Sequence, residues 1–381
     1  MKTQRGAAAL PITLVLSFAV LLAVAFANRS VLLQVRTSVH QLHSAQAHEA
    51  AQAGLAWTLA QLNQVAPIGD DCQPSNEDGA STLHQRAQLG PLQASCVAEP
   101  LGWSCICPAS GATLPAPDAE AASFQASLTP DPVQPERWQL AVTGRNRGSD
   151  RPIRLQMSLG RLPGLDTLPS AALAVRGSVS FSAEATLTHT DPASGGVTLH
   201  SGGAAEGPLL RVLSTPGTPS RASILRHDAA LASLSAPGLH ASVFRMDAAT
   251  WRDQPGVARV SCHQPCDEAL VAAARQHTRI ALDGGLRLAT PLALGTPARP
   301  LLLVVDGPVD VAAAATLHGF VYARHPQWTT SAGLTVRGAV IAEHDLRVDG
   351  PLHLHHDAAV LQALQQRSGT YAPVSASWRD L

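Results

Sequence analysis

Six cysteines and sixteen histidines are the residues of this chain best suited to chemistry. The cysteines are Cys72, Cys96, Cys105, Cys107, Cys262 and Cys266, and thiols can either pair as disulfides or hold zinc. Spacing argues against zinc: Cys105-x-Cys107 is too tight for a knuckle, and Cys262-His-Gln-Pro-Cys266 has no clear second pair. An even number of cysteines, all beyond an apolar N-terminal run, reads as disulfides made in an oxidising compartment. Six cysteines allow fifteen pairings. The sequence separates Cys72, Cys96, Cys105 and Cys107 from a local Cys262–Cys266 loop and leaves the pairing of the four open. Among the histidines the densest group is His353-x-His355-His356-Asp357. On a strand, His353 and His355 share a face and could bind a metal, but a histidine-rich surface strand accounts for the pattern better, and no metal ligands are assigned. His40, His43 and His48 fall in a helical stretch and read as groove or surface residues. There is no G-x-S-x-G, no Walker loop and no H-E-x-x-H. No enzyme and no cofactor are therefore expected, and a net charge of −1 gives no electrostatic case for nucleic acid.

The element that must position everything else is the N-terminus. Residues 7–27 carry no charge and supply about the 20 apolar residues a helix needs to cross a bilayer. Lys2 and Arg5 precede the run, so the positive-inside rule keeps the N-terminus cytoplasmic and sends the rest outward. A cleaved signal peptide is the rival, with Ala25-Phe-Ala27 as a loose cleavage site. The run is long for a signal's apolar region of about 7–15 residues, and the helical pattern does not stop where the apolar run stops. Residues 28–63 contain no proline and one glycine, Gly54. Apolar residues recur at Val31, Leu32, Val35, Val39, Leu42, Ala45, Ala53, Leu55, Trp57, Leu59 and Leu62, mostly three or four apart, as on one stripe of a helix. A helix over 7–63 would be roughly 85 Å long. Its first half, apolar all round, suits lipid or a bundle of like helices; its second half suits packing on a globular domain.

Over all 381 residues the composition is poor in charge (14%) and rich in Gly (29) and Pro (28), which beyond the helix reads as turn-rich β structure. Residues 65–120 are punctuated by Pro67, Gly69, Pro74, Gly79, Gly90, Pro91 and Pro100 and read as a loop-rich connector tied by disulfides, with strand character at 103–107. Residues 137–162 read as a hairpin: Trp138, Leu140 and Val142 alternate, a polar turn carries Arg145, Arg147 and Arg151, and Ile153, Leu155, Met157 and Leu159 alternate back. From Pro163 a pattern of apolar-x-Gly-x-apolar recurs, starting at Val175, Val305, Leu317, Val336 and Val348. The last four starts are 12, 19 and 12 residues apart. Short strands entered by a Gly turn at such offsets suggest stacked rungs, as in a β-roll or parallel β-helix. Helices are expected near 225–234 and 267–277, the second with acids in its first turn. The expected fold is α+β: a membrane-crossing half-helix at 7–28, an amphipathic half at 29–63, a loop region and hairpin at 64–162, and a β-rich domain at 163–381.

Several stretches together resemble a type IV prepilin, in particular the PilX-type minor pilins. They are the short basic leader ending at Gly6, the apolar run directly after it, Glu49-Ala-Ala-Gln-Ala-Gly-Leu-Ala-Trp-Thr-Leu-Ala-Gln-Leu62, His356-Asp-Ala-Ala-Val-Leu361 and Ser377-Trp-Arg-Asp380. The resemblance implies that prepilin peptidase removes residues 1–6 by cutting between Gly6 and Ala7, and that the new amino group is methylated. Most major pilins have Glu at the fifth mature position. Here it is Pro11, and no acidic residue precedes Glu49. Proline is tolerated in a helix's first turn, where its missing N–H would have no partner. A subunit without that Glu suits a tip or initiating position. The resemblance thus implies a minor pilin that helps initiate pilus assembly and forms part of the tip complex. Its partners would be other minor and major pilins, a tip adhesin and, before assembly, inner-membrane lipid. It would cross the inner membrane once, C-terminus periplasmic, and end at the cell surface. A minor pseudopilin of type II secretion is the alternative within this class. Outside it stands a membrane-anchored periplasmic β-solenoid that binds polysaccharide, which would need an aromatic stripe that 4% aromatics does not supply.

Overall fold

A computed structural model of the chain describes residues 9–64, 66–75, 81–108, 114, 121–134, 137–147 and 151–380. Lys2, Arg5, Gly6 and Ala7 lie outside the described residues. The architecture is α+β: one long N-terminal helix, α1 (Ala9–Leu62), followed by an antiparallel sheet and a parallel β-solenoid. At 1.5 Å per residue the 54 residues of α1 span about 80 Å.

The first sheet has seven strands. Its path begins β2 (Gly102–Ile106), β1 (Leu92–Glu99), β3 (Ser123–Pro130), β4 (Arg137–Arg145), β5 (Ile153–Pro163). The expected hairpin is β4–β5: Trp138 faces Leu159, Leu140 faces Met157 and Val142 faces Leu155, all six buried. Arg145, Arg147 and Arg151 flank its turn on the exposed side. Residues 65–120 are more than a connector. They supply β1 and β2, and a short helix, α2 (Leu83–Leu89), whose Thr82 and Gln85 form a reciprocal capping box. The sheet is completed by the end of the chain, because Gly369–Pro373 and Arg379–Asp380 both pair antiparallel with β5. The tail of the 163–381 stretch therefore belongs to the first sheet, and the solenoid is held at both its entry and its exit.

The solenoid is triangular, with three columns of parallel strands. One column runs Val257–Ser261, Arg279–Asp283, Leu301–Val305, the second halves of Ala315–Ala323 and Leu334–Ala342, then Leu173–Val175, Leu199–Ser201 and Ile224–Leu225. The second contains Leu286–Leu288, Val309–Val311, Gln327–Thr329, Leu346–Asp349, Val179–Phe181 and Ala205–Glu206. The third contains Leu292–Leu294, the first halves of the two long strands, Leu352–His356, Ala185–Thr188 and Leu210–Leu213. The chain thus enters in the middle. It winds outward through 173–225, crosses to the far end, and winds back through 257–356 until Leu334–Ala342 lies beside Leu173–Val175. Three capped helices make the crossing: Ala229–Ser233, Ala236–Phe244 and Ala248–Arg252, with Asp228, Ser235 and Asp247 accepting from their first backbone N–H groups. Only the first of them falls within the helix expected at 225–234, where Ile224–Leu225 is instead a strand. The helix Asp267–Gln276 forms with Asp267 and Glu268 in its first turn.

The crossing helices bury Leu239, Phe244 and Trp251 on the outer side of the first column, against Leu302, Val304, Phe320 and Tyr322. That column is covered on both faces, which is why Leu301–Val305 is an unbroken apolar run with every residue buried. The recurring glycine motif marks corners. At Val175 and Val305 it turns the chain from first column to second, at Val348 from second to third, and at Leu317 and Val336 from third to first. Gly319 and Gly338 are therefore bends inside long strands rather than entries to them. They lie opposite each other one turn apart, with φ of +156° and +142°. A Cβ on Gly338 would sit 1.8 Å from the Gly319 carbonyl oxygen. Gly338→Ala is accordingly expected to destabilise the solenoid by roughly 2 kcal/mol or more, read as a lower midpoint in thermal unfolding; an unchanged midpoint would contradict the corner assignment.

Candidate functional site

The functional element the structure isolates is α1, because its two halves have opposite surroundings. Every described side chain from Ile12 to Leu42 is exposed. Phe18 and Phe26 are 62% and 77% accessible, and no charge appears between Ile12 and Asn28. This is the one helix among the described residues long and apolar enough to cross a membrane. Pro11 lies in its first turns, as the sequence requires.

From Ala47 the helix docks on β3, β4 and β5. Ala47, Ala50, Ala51, Leu55, Thr58 and Leu62 turn buried, at helical spacing. Small residues let the backbone come close. A Cβ on Gly144 of β4 would lie 2.2 Å from the Ala47 carbonyl oxygen, and one on Gly54 would lie 2.6 Å from Val142 Cγ1. The Phe124 ring is fully buried beneath this contact, against Trp57 and Trp103. Both ends of the docked half are tied down. Asn146 Nδ2 donates to Gln46 Oε1 (2.5 Å) at the upper end. At the foot, Asn63 Nδ2 donates to the Tyr371 carbonyl (3.0 Å), and the Tyr371 N–H donates to Asn63 Oδ1 (2.7 Å). The C-terminal strand thus clamps the end of α1.

The cysteines secure the sheet that receives the helix. Cys72 pairs with Cys107 and Cys96 with Cys105, while Cys262–Cys266 closes a turn before Asp267–Gln276. Arg86, buried on α2, ties the first of these: it donates to the carbonyls of Ile68 and Cys107 and pairs with Asp70 at 3.1 Å. The histidine cluster is put to structural use. His356 is buried, with Nε2 3.0 Å from the Pro169 carbonyl oxygen and its ring on His189. Asp357 caps Ala358–Arg367, His353 is exposed and His355 half-buried. Among the described residues no group of three His, Cys, Asp or Glu side chains is arranged to hold a metal.

No protein-family model and no curated protein matches this sequence. Among solved structures the chain is similar to the competence-associated pilin ComZ from Thermus thermophilus, at 12% identity over 89% of this chain and 97% of that one, with a TM-score of 0.22.

One feature of the anchorage was invisible in the sequence. Asn63 and Tyr371 are far apart along the chain, and no local pattern joins them. The α2 capping box was missed, although Thr82-x-x-Gln85 carries the usual sequence mark of a helix start.

Two measurements check this anchorage. Gly144→Val places methyl groups where the Ala47–Ala51 backbone lies, and should cost roughly 1–3 kcal/mol or more; an unaltered unfolding midpoint would contradict the close approach. The second concerns pH. His84, on α2, is pushed down to about 4, first by burial and then by Arg161. Burial also lowers His189, His240 and His356. An imidazole whose folded pKa lies below its unfolded value binds its proton more readily once unfolded, so stability falls as pH drops from about 6.5 toward 4. Thermal melts should show that decline, and His84→Gln should make it shallower.

Proposed function

We propose that this chain is a minor pilin of the PilX type, a non-catalytic subunit that helps initiate a type IV pilus and forms part of its tip complex. The observation that carries the reading is the uncovered, uncharged half of α1 projecting from a half locked onto a disulfide-secured sheet. Such a helix can sit in lipid and later leave it for a bundle of like helices. The exchange costs little, because lipid tails and neighbouring apolar side chains are equally apolar and packing decides the outcome. Ala7–Ala9 and Ala23, Ala25 and Ala27 give the small surfaces that close helix packing favours. The leader ending at Gly6, Pro11 in place of the usual Glu, and the PilX-like tail support the same role. In this reading Lys2 and Arg5 hold the leader on the cytoplasmic face, where prepilin peptidase cuts. The partners are inner-membrane lipid, then other minor and major pilins, then a tip adhesin. The sheet and solenoid lie in the periplasm until assembly carries them to the pilus tip.

The test is the mass of the N-terminus after expression with and without a prepilin peptidase. The expected product begins at Ala7, methylated, only when the peptidase is present, and Gly6→Val should leave the chain at full length. Cleavage after Ala27, or no peptidase-dependent change, would contradict the assignment.

A further inference from the structure

A cleft of about 610 Å³ separates the first sheet from the solenoid, within the size range of small-molecule sites. The foot of α1, α2 and β5 form one wall, and the start of Arg279–Asp283 and the loop before Leu301–Val305 form the other. Three guanidinium groups line it: Arg161, Arg279 and Arg299. Not one described residue of its lining is Asp or Glu.

Arg279 and Arg299 sit on successive turns of the solenoid and Arg161 far from both in sequence, and none has a carboxylate partner among the described residues. Arg279 is 5% accessible, and its hydrogen bonds all run from Nη2, to the carbonyls of Pro255 (2.6 Å) and Gly369 (3.2 Å) and to Thr370 Oγ1 (3.0 Å). Arg299 Nη2 is buried with no acceptor. Arg161 lies directly across the strand pair from Tyr371 and, among the described residues, donates only to the Gln366 carbonyl. Arginine stays protonated, so none of these groups can lose its charge to escape burial. Elsewhere in the solenoid some half-buried arginine charge is matched, Arg324 by Asp306 and Glu343 and Arg252 by Asp306. In the cleft, neutral carbonyls offset only part of a guanidinium's desolvation.

We propose that this cleft binds a small multivalent oxyanion, a ligand carrying carboxylate or phosphate groups, with Arg279 and Arg299 contributing from the solenoid and Arg161 from the sheet. The planar guanidinium fork matches both kinds of oxyanion. The ligand would bridge the two parts of the molecule at the place where the Tyr371 strand clamps α1, so occupancy would stiffen the base from which the helix projects. This inference is independent of the pilin reading.

The test uses the full chain in non-ionic detergent. Thermal unfolding is followed while inorganic phosphate, or separately citrate, is titrated at constant ionic strength set with sodium chloride. Ligand that binds only the folded state raises the midpoint in a saturating way. The expected result is such a rise with at least one anion, weakened about tenfold or more in the Arg161→Gln/Arg299→Gln double variant. Both positions are partly exposed, so the variant should fold, which its circular dichroism and anion-free melt check. Arg299→Lys, which keeps the charge and loses the fork, should bind with intermediate strength. A response to citrate alone identifies carboxylate as the ligand group, and one to phosphate alone identifies phosphate. No rise with either anion, or a rise equal in the wild type and the double variant, would overturn the proposal.

Discussion

An apolar helix surface left exposed by the described residues of its own chain is the constraint on which the rest of this structure depends. From Ile12 to Leu42 every described side chain of α1 is exposed, and the uncharged apolar surface of its first part, Ile12 to Asn28, does not persist in water. Lipid or other helices must cover it, so the helix has to leave the globular part at a fixed place and with a firm hold. The docked half meets that need by backbone proximity more than by bulk. Gly54 and Gly144 bring α1 close enough to β4 that a single added carbon would meet backbone or buried side-chain atoms. Leu55 and Leu62 then each add roughly 2 kcal/mol of apolar burial.

The remainder of the chain reinforces that hold. Two disulfides and the buried Arg86 secure the edge of the sheet through Cys72, Cys96, Cys105 and Cys107. The solenoid leaves the sheet after β5 and returns to it through Gly369–Pro373, so both of its ends are fixed beside the foot of the helix. The Asn63–Tyr371 pair joins the last residue layer of α1 to that returning strand. A force on the projecting helix would therefore reach the sheet and the solenoid together.

Much of this was legible in the sequence where periodicity is local. The long helix, the β4–β5 hairpin and the presence of stacked strands all follow from spacing within a few dozen residues. β1 was missed because its inward positions are filled mostly by small residues and cysteine, as in Ala94, Ser95 and Cys96, which give no apolar alternation. In β3, Phe124, Ala126 and Leu128 do alternate inward, over a run too short to stand out. The solenoid's winding was missed for another reason. One glycine motif serves all three corners, so its copies do not reveal which strand stacks on which, and nothing local shows that residue 173 lies beside residue 340. The cleft was hidden in the same way, since Arg279 and Arg299 meet only when successive solenoid strands stack, and Arg161 reaches them from the sheet. Residues 1–6, which carry the leader argument, lie outside the described residues.

The central claim is that the upper half of α1 lives in an apolar environment while the lower half is held by the protein. The six cysteines are paired, so a single introduced cysteine can be labelled without interference. An environment-sensitive fluorophore on Leu22→Cys, in the full chain reconstituted into vesicles containing spin-labelled lipid, reads that environment directly. The account predicts a blue-shifted emission strongly quenched by the lipid label at position 22, and no quenching of the same probe on Gln156→Cys of β5. A water-like, unquenched emission at position 22 would contradict it.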